Sequence, residues 1–250
     1  MFDLSTLETP PAGFGRCGSC TYRQTGTAAI CFACASVRMS PLAEPRCPIC
    51  EQELVADGSC PNWVCGFPDR FFDTVFAIST LTGVLYEAIW AYKGASEQKG
   101  WAAIFGRVLV GFLDEEAIDW HDLIVASPTY VGEGGRSWDH TAAVLEAAAI
   151  EAGDRYPFDE DSRAILQTAP TRTFKKLKLR ERKDEAEGPL RTALVVPDPD
   201  RVLGEHVLVY DDVFTDGFRA REVARALRVA GAASVDQVVL ARQPRPADWT

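Results

Sequence analysis

The stretch His206-Val207-Leu208-Val209-Tyr210-Asp211-Asp212-Val213-Phe214-Thr215-Asp216-Gly217-Phe218-Arg219 decides how the chain is read. Val207 to Tyr210 are apolar with β-branched members, which fits a strand buried on both faces. Two carboxylates, Asp211 and Asp212, stand at its end, and a short loop closes on Gly217. Val223, Leu227 and Ala230 then recur at helical spacing, with Gly231 as a C′ stop. A strand that passes through a tight loop into a helix N-terminus presents backbone N–H groups to an anion, which suits a phosphate.

Working outward, the segments before this stretch alternate between strand and helix patterns. An aromatic run from Phe71 to Ile78 reads as a strand. Val84, Leu85, Ala88, Ile89 and Tyr92 mark one helical face, and Trp101, Ile104, Phe105, Val108, Leu109 and Phe112 mark another. A short strand over 122–126 enters a loop with Gly132, Gly134 and Gly135, and a helix over 137–152 follows with Val144, Leu145, Ala148 and Ile150 inward. Strands are expected near 164–167, 193–196 and 235–241. Such alternation predicts an α/β fold with a parallel sheet, both faces covered, and ligands at the carboxyl ends of the strands.

All eight cysteines lie within the first 65 residues. Cys17-x₂-Cys20 and Cys31-x₂-Cys34 form one quartet; Cys47-x₂-Cys50 and Cys60-x₄-Cys65 form a second. Paired thiolates at this spacing grip one side of a tetrahedral ion, so two structural zinc ions are expected. Disulfides are the competing reading, which a reducing compartment disfavours. Sequential quartets are the simpler assignment; a cross-braced one would join the first pair to the third. Four thiolates leave no open position for catalysis, and a segment this small and polar needs metal to fold.

Hydrophobic residues make up 47% of the 250, enough for a sizeable core. No apolar run reaches the roughly 18 residues of a membrane span, and Met1 to Ser5 lack signal-peptide character. A cytoplasmic protein is expected. A net charge of −10 argues against broad nucleic-acid affinity, yet seven basic residues cluster between Thr171 and Asp184. His121 and His206 read as surface or capping residues; His140, near the glycine loop, is a weak site candidate.

The order of strand, acid pair, apolar pair, hydroxyl residue and glycine resembles the phosphoribosyl-pyrophosphate (PRPP) signature of type I phosphoribosyltransferases. The chain from Cys17 to Arg242 resembles the ComF-like phosphoribosyltransferases in four features: the cysteine pairs, Phe72-Asp73 before a strand, Ile89-Trp90-Ala91-Tyr92-Lys93-Gly94, and the signature itself. The resemblance implies a zinc-binding module over 1–68 and a phosphoribosyltransferase-like domain of type I PRPP fold over 69–250. It implies that Asp211 and Asp212 bind the ribose hydroxyls, directly or through Mg²⁺. Val213, Phe214, Thr215, Asp216 and Gly217 would cradle the 5′-phosphate, and Ser127 and Arg136 would belong to the pyrophosphate loop. Asparagine at Asp212 is then expected to weaken PRPP binding with little change in stability.

Departures from the family pattern stand out in two regions. Asp216 and Arg219 occupy places where the family has hydroxyl residues; the Asp216 carboxylate repels phosphate unless it turns to cap the helix, while Arg219 could restore positive charge. Ala126-Ser127-Pro128 and Gly135-Arg136-Ser137-Trp138-Asp139-His140 replace the family's Pro-Val-Pro turn and arginine-rich element.

The basic segment has three readings. It is a hood closing over PRPP, with Lys175, Lys176, Arg172, Arg180 and Arg182 as candidates; a patch for single-stranded nucleic acid; or a solvated charged face. Two function classes follow: Mg²⁺-dependent phosphoribosyl transfer from PRPP to an unidentified acceptor, or a non-catalytic nucleotide sensor or single-stranded DNA binder of DNA uptake. Related domains pair, so a homodimer is one expected assembly.

Overall fold

The computed structural model describes residues 39–94, 100–159, 161 and 163–244. Cys17, Cys20, Cys31 and Cys34 lie outside the described residues. The main sheet has four parallel strands in the order β1 (Val75–Thr80), β6 (Ser234–Arg242), β5 (His206–Phe214) and β2 (Leu123–Ala126). Between them run α1 (Gly83–Gly94), α2 (Trp101–Glu115), α3 (His140–Ala152), α4 (Leu179–Glu185) and α5 (Phe218–Val229).

Alternation along β5 sorts the core into two layers. Leu208 and Tyr210 face α1, α2 and α3, meeting Leu85, Tyr92, Phe105, Leu109 and Leu145. Val207 and Val209 face the other way, toward Val223 and Leu227 of α5. Cys47, Cys50 and Val64 belong to that same second layer. The cysteine segment is therefore seated on the sheet: Val75 N donates to Ile49 O at 2.8 Å and Thr80 N to Ser40 O at 2.9 Å.

Helices α2 and α3 approach closely because Gly106 lacks a side chain; a Cβ there would lie 2.7 Å from Ala148 N. The expected inward face of α3 needs one correction. Val144, Leu145 and Ala148 are buried, but Ile150 is 80% exposed, since it lies off the stripe that Thr141, Val144, Leu145 and Ala148 make at helical spacing. The helix starts at His140 rather than Ser137, with Asp139 as N-cap accepting from Ala142 N.

Two expected strands do not join the parallel sheet. β3 (Leu166–Gln167) and β4 (Leu194–Val195) pair antiparallel as a separate two-stranded ribbon. Between them the chain turns through α4, a π-helical segment at Ala186–Leu190 and one further turn. His121 also departs from expectation: it is buried, with Nε2 3.1 Å from Asp236 Oδ2, rather than a surface or capping residue. His206 is exposed, its Nδ1 2.7 Å from Ser234 Oγ.

Candidate functional site

The strand carrying the acid pair is longer than its sequence pattern predicts. β5 continues through Asp211 and Asp212 to Phe214, hydrogen-bonded to β6, whereas β2 stops opposite Tyr210. Both acids therefore lie beyond the end of β2, next to open space. β2 leads to α3 on one face of the sheet and β5 leads to α5 on the other. Adjacent parallel strands whose following helices depart to opposite faces leave a crevice at their carboxyl ends, the usual ligand position in open α/β sheets. A cavity of about 670 Å³ fills that crevice.

Asp211, Asp212, Val213, Phe214, Thr215, Asp216, Gly217, Arg136 and Lys175 all line it. Ser127 and Lys176 do not. Ser127 is buried behind the wall, where its N–H donates to Tyr210 O at 2.7 Å and its carbonyl accepts from Thr141 Oγ1 at 2.8 Å. Lys176 is exposed on the short turn Phe174–Lys176, outside the cavity lining.

The two acids have different surroundings, as the strand's pleat requires. Asp212 is buried on the α1–α3 side, and its Oδ2 is 2.6 Å from Lys93 Nζ and 3.1 Å from His140 Nε2. Burial pushes this carboxyl up, but the Lys93 ammonium and His140 outweigh it and hold Asp212 well below the usual carboxylate range. Asp211 accepts from Asp212 N at 2.8 Å. Burial, with the Asp212 charge adding to it, raises the Asp211 carboxyl against the pull of Arg219 and Lys93.

His140 is fixed from behind: Tyr92 Oη donates to its carbonyl at 2.5 Å, and Tyr92 packs edge-on between Phe105 and Trp138. The pattern offers a ready signal for Lys93, which follows the buried face of α1. His140 was visible only as a histidine near the glycine loop; its meeting with Asp212 spans 72 residues of chain and depends on α3 lying against β5.

Beyond the acids, Gly217 takes φ 85° and turns the chain into α5. A Cβ at Gly217 would meet Phe214 Cζ at 2.7 Å and Val64 Cγ1 at 2.9 Å, so the loop admits no side chain there. Asp216 caps the helix: Oδ1 accepts from Phe218 N at 3.1 Å, and Oδ2 accepts from Arg182 Nη1 at 3.1 Å. Its carboxylate is thus turned to the helix N-terminus and paired with Arg182. Arg219 spans the cavity floor, donating to the Pro128 carbonyl and, at 3.1 Å, to Gln167 Oε1.

Three of the seven basic residues of the 171–184 segment line the cavity. Arg172 Nε lies 2.5 Å from the buried Glu185 carboxylate, and Arg182 holds Asp216. The Lys175 ammonium donates to Tyr86 Oη and sits 4.3 Å from the Trp90 ring centroid. Arg172, Lys175 and Arg182 line the cavity, while Lys176 and Arg180 face solvent.

The second cysteine quartet assembles on the far side of the acid loop. The sulfurs of Cys47, Cys50, Cys60 and Cys65 lie within 4.8 Å of one another, with Cys47 Sγ 4.0 Å from Cys65 Sγ and Cys50 Sγ 3.7 Å from Cys60 Sγ. Such a cluster could hold a metal ion. Its surroundings fit one: Ile49 N points at Cys47 Sγ at 3.4 Å and Asn62 N at Cys60 Sγ at 3.5 Å, the backbone donors that each knuckle offers a thiolate. The third and fourth pairs close on each other, as sequential quartets require and the cross-braced alternative does not.

Among the described residues, no helix is long and apolar enough to cross a membrane. No family model matches the chain, and no curated protein matches it either.

Proposed function

We propose that the cavity binds a phosphoribosyl ligand, PRPP with Mg²⁺, and that the chain is a phosphoribosyltransferase-like protein of the ComF-like kind, built on the type I PRPP fold. The observation that carries this reading is the acid pair Asp211–Asp212, standing past the end of β2 and followed within five residues by the left-handed Gly217 at the start of α5. In this reading the ribose hydroxyls donate to the two carboxylates. The 5′-phosphate rests on the N-terminal turn of α5, whose first N–H groups have no intrahelical acceptor, with the Thr215 hydroxyl beside it. Arg136 and Lys175 meet the pyrophosphate. Asp211 and Asp212 are the carboxylates that would hold a Mg²⁺ ion brought with PRPP, which would supply positive charge against the pyrophosphate.

Lys93 and His140 hold the Asp212 carboxyl low, so this carboxylate is ready to accept hydroxyl hydrogen bonds and to stabilise positive charge developing on the ribose ring. Transfer would break the bond from the anomeric carbon to pyrophosphate and form one to an acceptor nucleophile. The chain's contribution is positioning and charge complementarity rather than a covalent intermediate. The four-cysteine cluster takes zinc in this reading, and the first quartet takes a second ion.

Commitment of Arg172, Lys175 and Arg182 to the cavity supports the hood reading over a nucleic-acid patch. Isothermal titration with PRPP and Mg²⁺, then with a short single-stranded oligonucleotide, tests it. Micromolar PRPP binding without oligonucleotide binding is expected; the reverse pattern would replace the enzyme reading with the DNA-uptake one.

A further inference from the structure

Arg242 ends β6 and is 2% exposed. Its guanidinium reaches in two directions. Nε donates to Cys50 O at 2.8 Å, and Nη2 points at Cys50 Sγ at 3.9 Å. Nη1 donates to Phe214 O at 2.9 Å and to Thr215 O at 2.8 Å, the two residues that lead from the acid pair into the anion loop. The guanidinium also lies 5.0 Å from the centroid of the Phe214 ring. A second contact joins the same two regions: Val64, between Cys60 and Cys65, fills the space a side chain on Gly217 would need.

We infer that Arg242 is a positioning residue coupling the four-cysteine site to the ligand loop, so that metal held by Cys47, Cys50, Cys60 and Cys65 sets the backbone of residues 214–217. This rests on the reading of the cavity as a phosphate-ligand site. The physical case has three parts. A divalent ion held by four thiolates leaves net negative charge, and a buried guanidinium beside Cys50 is its compensating partner. A planar fork with five donors can hold a knuckle carbonyl on one edge and two loop carbonyls on the other, which a single ammonium cannot do. Loss of the ion removes the constraint that fixes the knuckle, and Arg242 then loses its anchor on that edge while its other edge still carries the loop.

A purely structural role would change stability alone. Coupling makes a different demand, because a site that fixes the loop must alter the loop's local opening at constant overall fold. Amide hydrogen exchange of residues 214–220 would be followed in metal-loaded protein, in chelator-treated protein and in metal-loaded Arg242→Lys, with circular dichroism reporting the fold. Ribose 5-phosphate, which needs no Mg²⁺, would be titrated into each. Exchange in this segment should rise about tenfold more than in α3 on chelation, and ribose 5-phosphate should bind about tenfold more weakly, a magnitude ordinary for coupled sites.

Arg242→Lys should reproduce both changes while retaining its metal, which tests the hold of Arg242 on the loop even where chelation unfolds the chain. Parent-like exchange and binding in metal-loaded Arg242→Lys would overturn the inference, as would a folded, chelated protein whose loop exchanges and binds unchanged. If the parent binds no ribose 5-phosphate but its loop exchange still follows the metal and Arg242, the ligand reading falls and the coupling stands.

Discussion

Lys93 Nζ lies 2.6 Å from Asp212 Oδ2, with 14% of the lysine side chain and 6% of the aspartate side chain exposed. The pair joins the end of α1 to the end of β5, and His140 of α3 meets the same oxygen. Three elements thus converge on one carboxylate at the cavity wall. The sequence expectation that Asp212→Asn leaves stability nearly unchanged does not fit this geometry. Removing the charge leaves Lys93 poorly solvated and unpaired, at a cost of roughly 3 kcal/mol. Urea denaturation should show that loss, Lys93→Met with Asp212→Asn should recover part of it, and PRPP binding should be lost in both variants.

Asp211 should behave in the opposite way. Burial and the Asp212 charge raise its carboxyl, so the folded state holds this proton more tightly than the unfolded chain does. Stability contributed by the protonated form is present below the ordinary carboxylate pKa and is lost as pH rises through the folded one. Asp211→Asn should therefore raise the urea midpoint at neutral pH while abolishing PRPP binding. Asp212, with its depressed carboxyl, contributes stability above the ordinary carboxylate pKa that is lost as pH falls through its folded value. Urea midpoints measured for parent and Asp211→Asn between about pH 4 and 8 check the sign. A drop in midpoint for Asp211→Asn at neutral pH would contradict it.

Asp216 and Arg182 offer a test of the proposed phosphate cradle. Threonine at Asp216 keeps an oxygen to accept from Phe218 N but removes the carboxylate from the loop. Ribose 5-phosphate should bind several-fold more tightly to Asp216→Thr, at a stability cost of about 1 kcal/mol as Arg182 loses its partner. Unchanged affinity would mean that Arg182 already cancels the charge.

Cys47→Ser and Cys60→Ser should each lower the metal content by one ion per chain relative to the parent, measured by elemental analysis. Cys47 and Cys50 pack in the same layer as Val207, Val209 and Val239, so loss of this ion should destabilise the sheet as well. One shared thermal transition, shifted downward, is expected. A separate early transition that leaves the sheet's unchanged would show that the segment melts on its own.

Lys175 and Lys176 are neighbours in sequence with opposite expectations. Lys175 lines the cavity over Trp90, and Lys176 is exposed. Lys175→Gln should weaken PRPP binding about tenfold and change tryptophan fluorescence, because its cation–π contact is removed. Lys176→Gln should leave both as in the parent.

What the sequence determined follows from local rules. Continuous apolar runs and helical spacing located β5, α5, α2 and β6, and Gly217 and Gly231 marked the turns because each takes positive φ, 85° and 111°. The Cys47–Cys65 spacing located a four-sulfur cluster, since close pairs have few ways to meet. Tertiary structure decided the rest. β5 runs on through both acids because β6 supplies hydrogen-bond partners as far as Phe214, and the acids are open because β2 is short. The short strands β3 and β4 read like sheet members but pair with each other, since a two-residue strand carries no signal of its partner. The pairing of Asp212 with Lys93 and His140, and the bridge from Cys50 through Arg242 to Phe214, join residues far apart in the chain. No local pattern encodes such contacts, because they arise only when helices and strands pack around one buried charge.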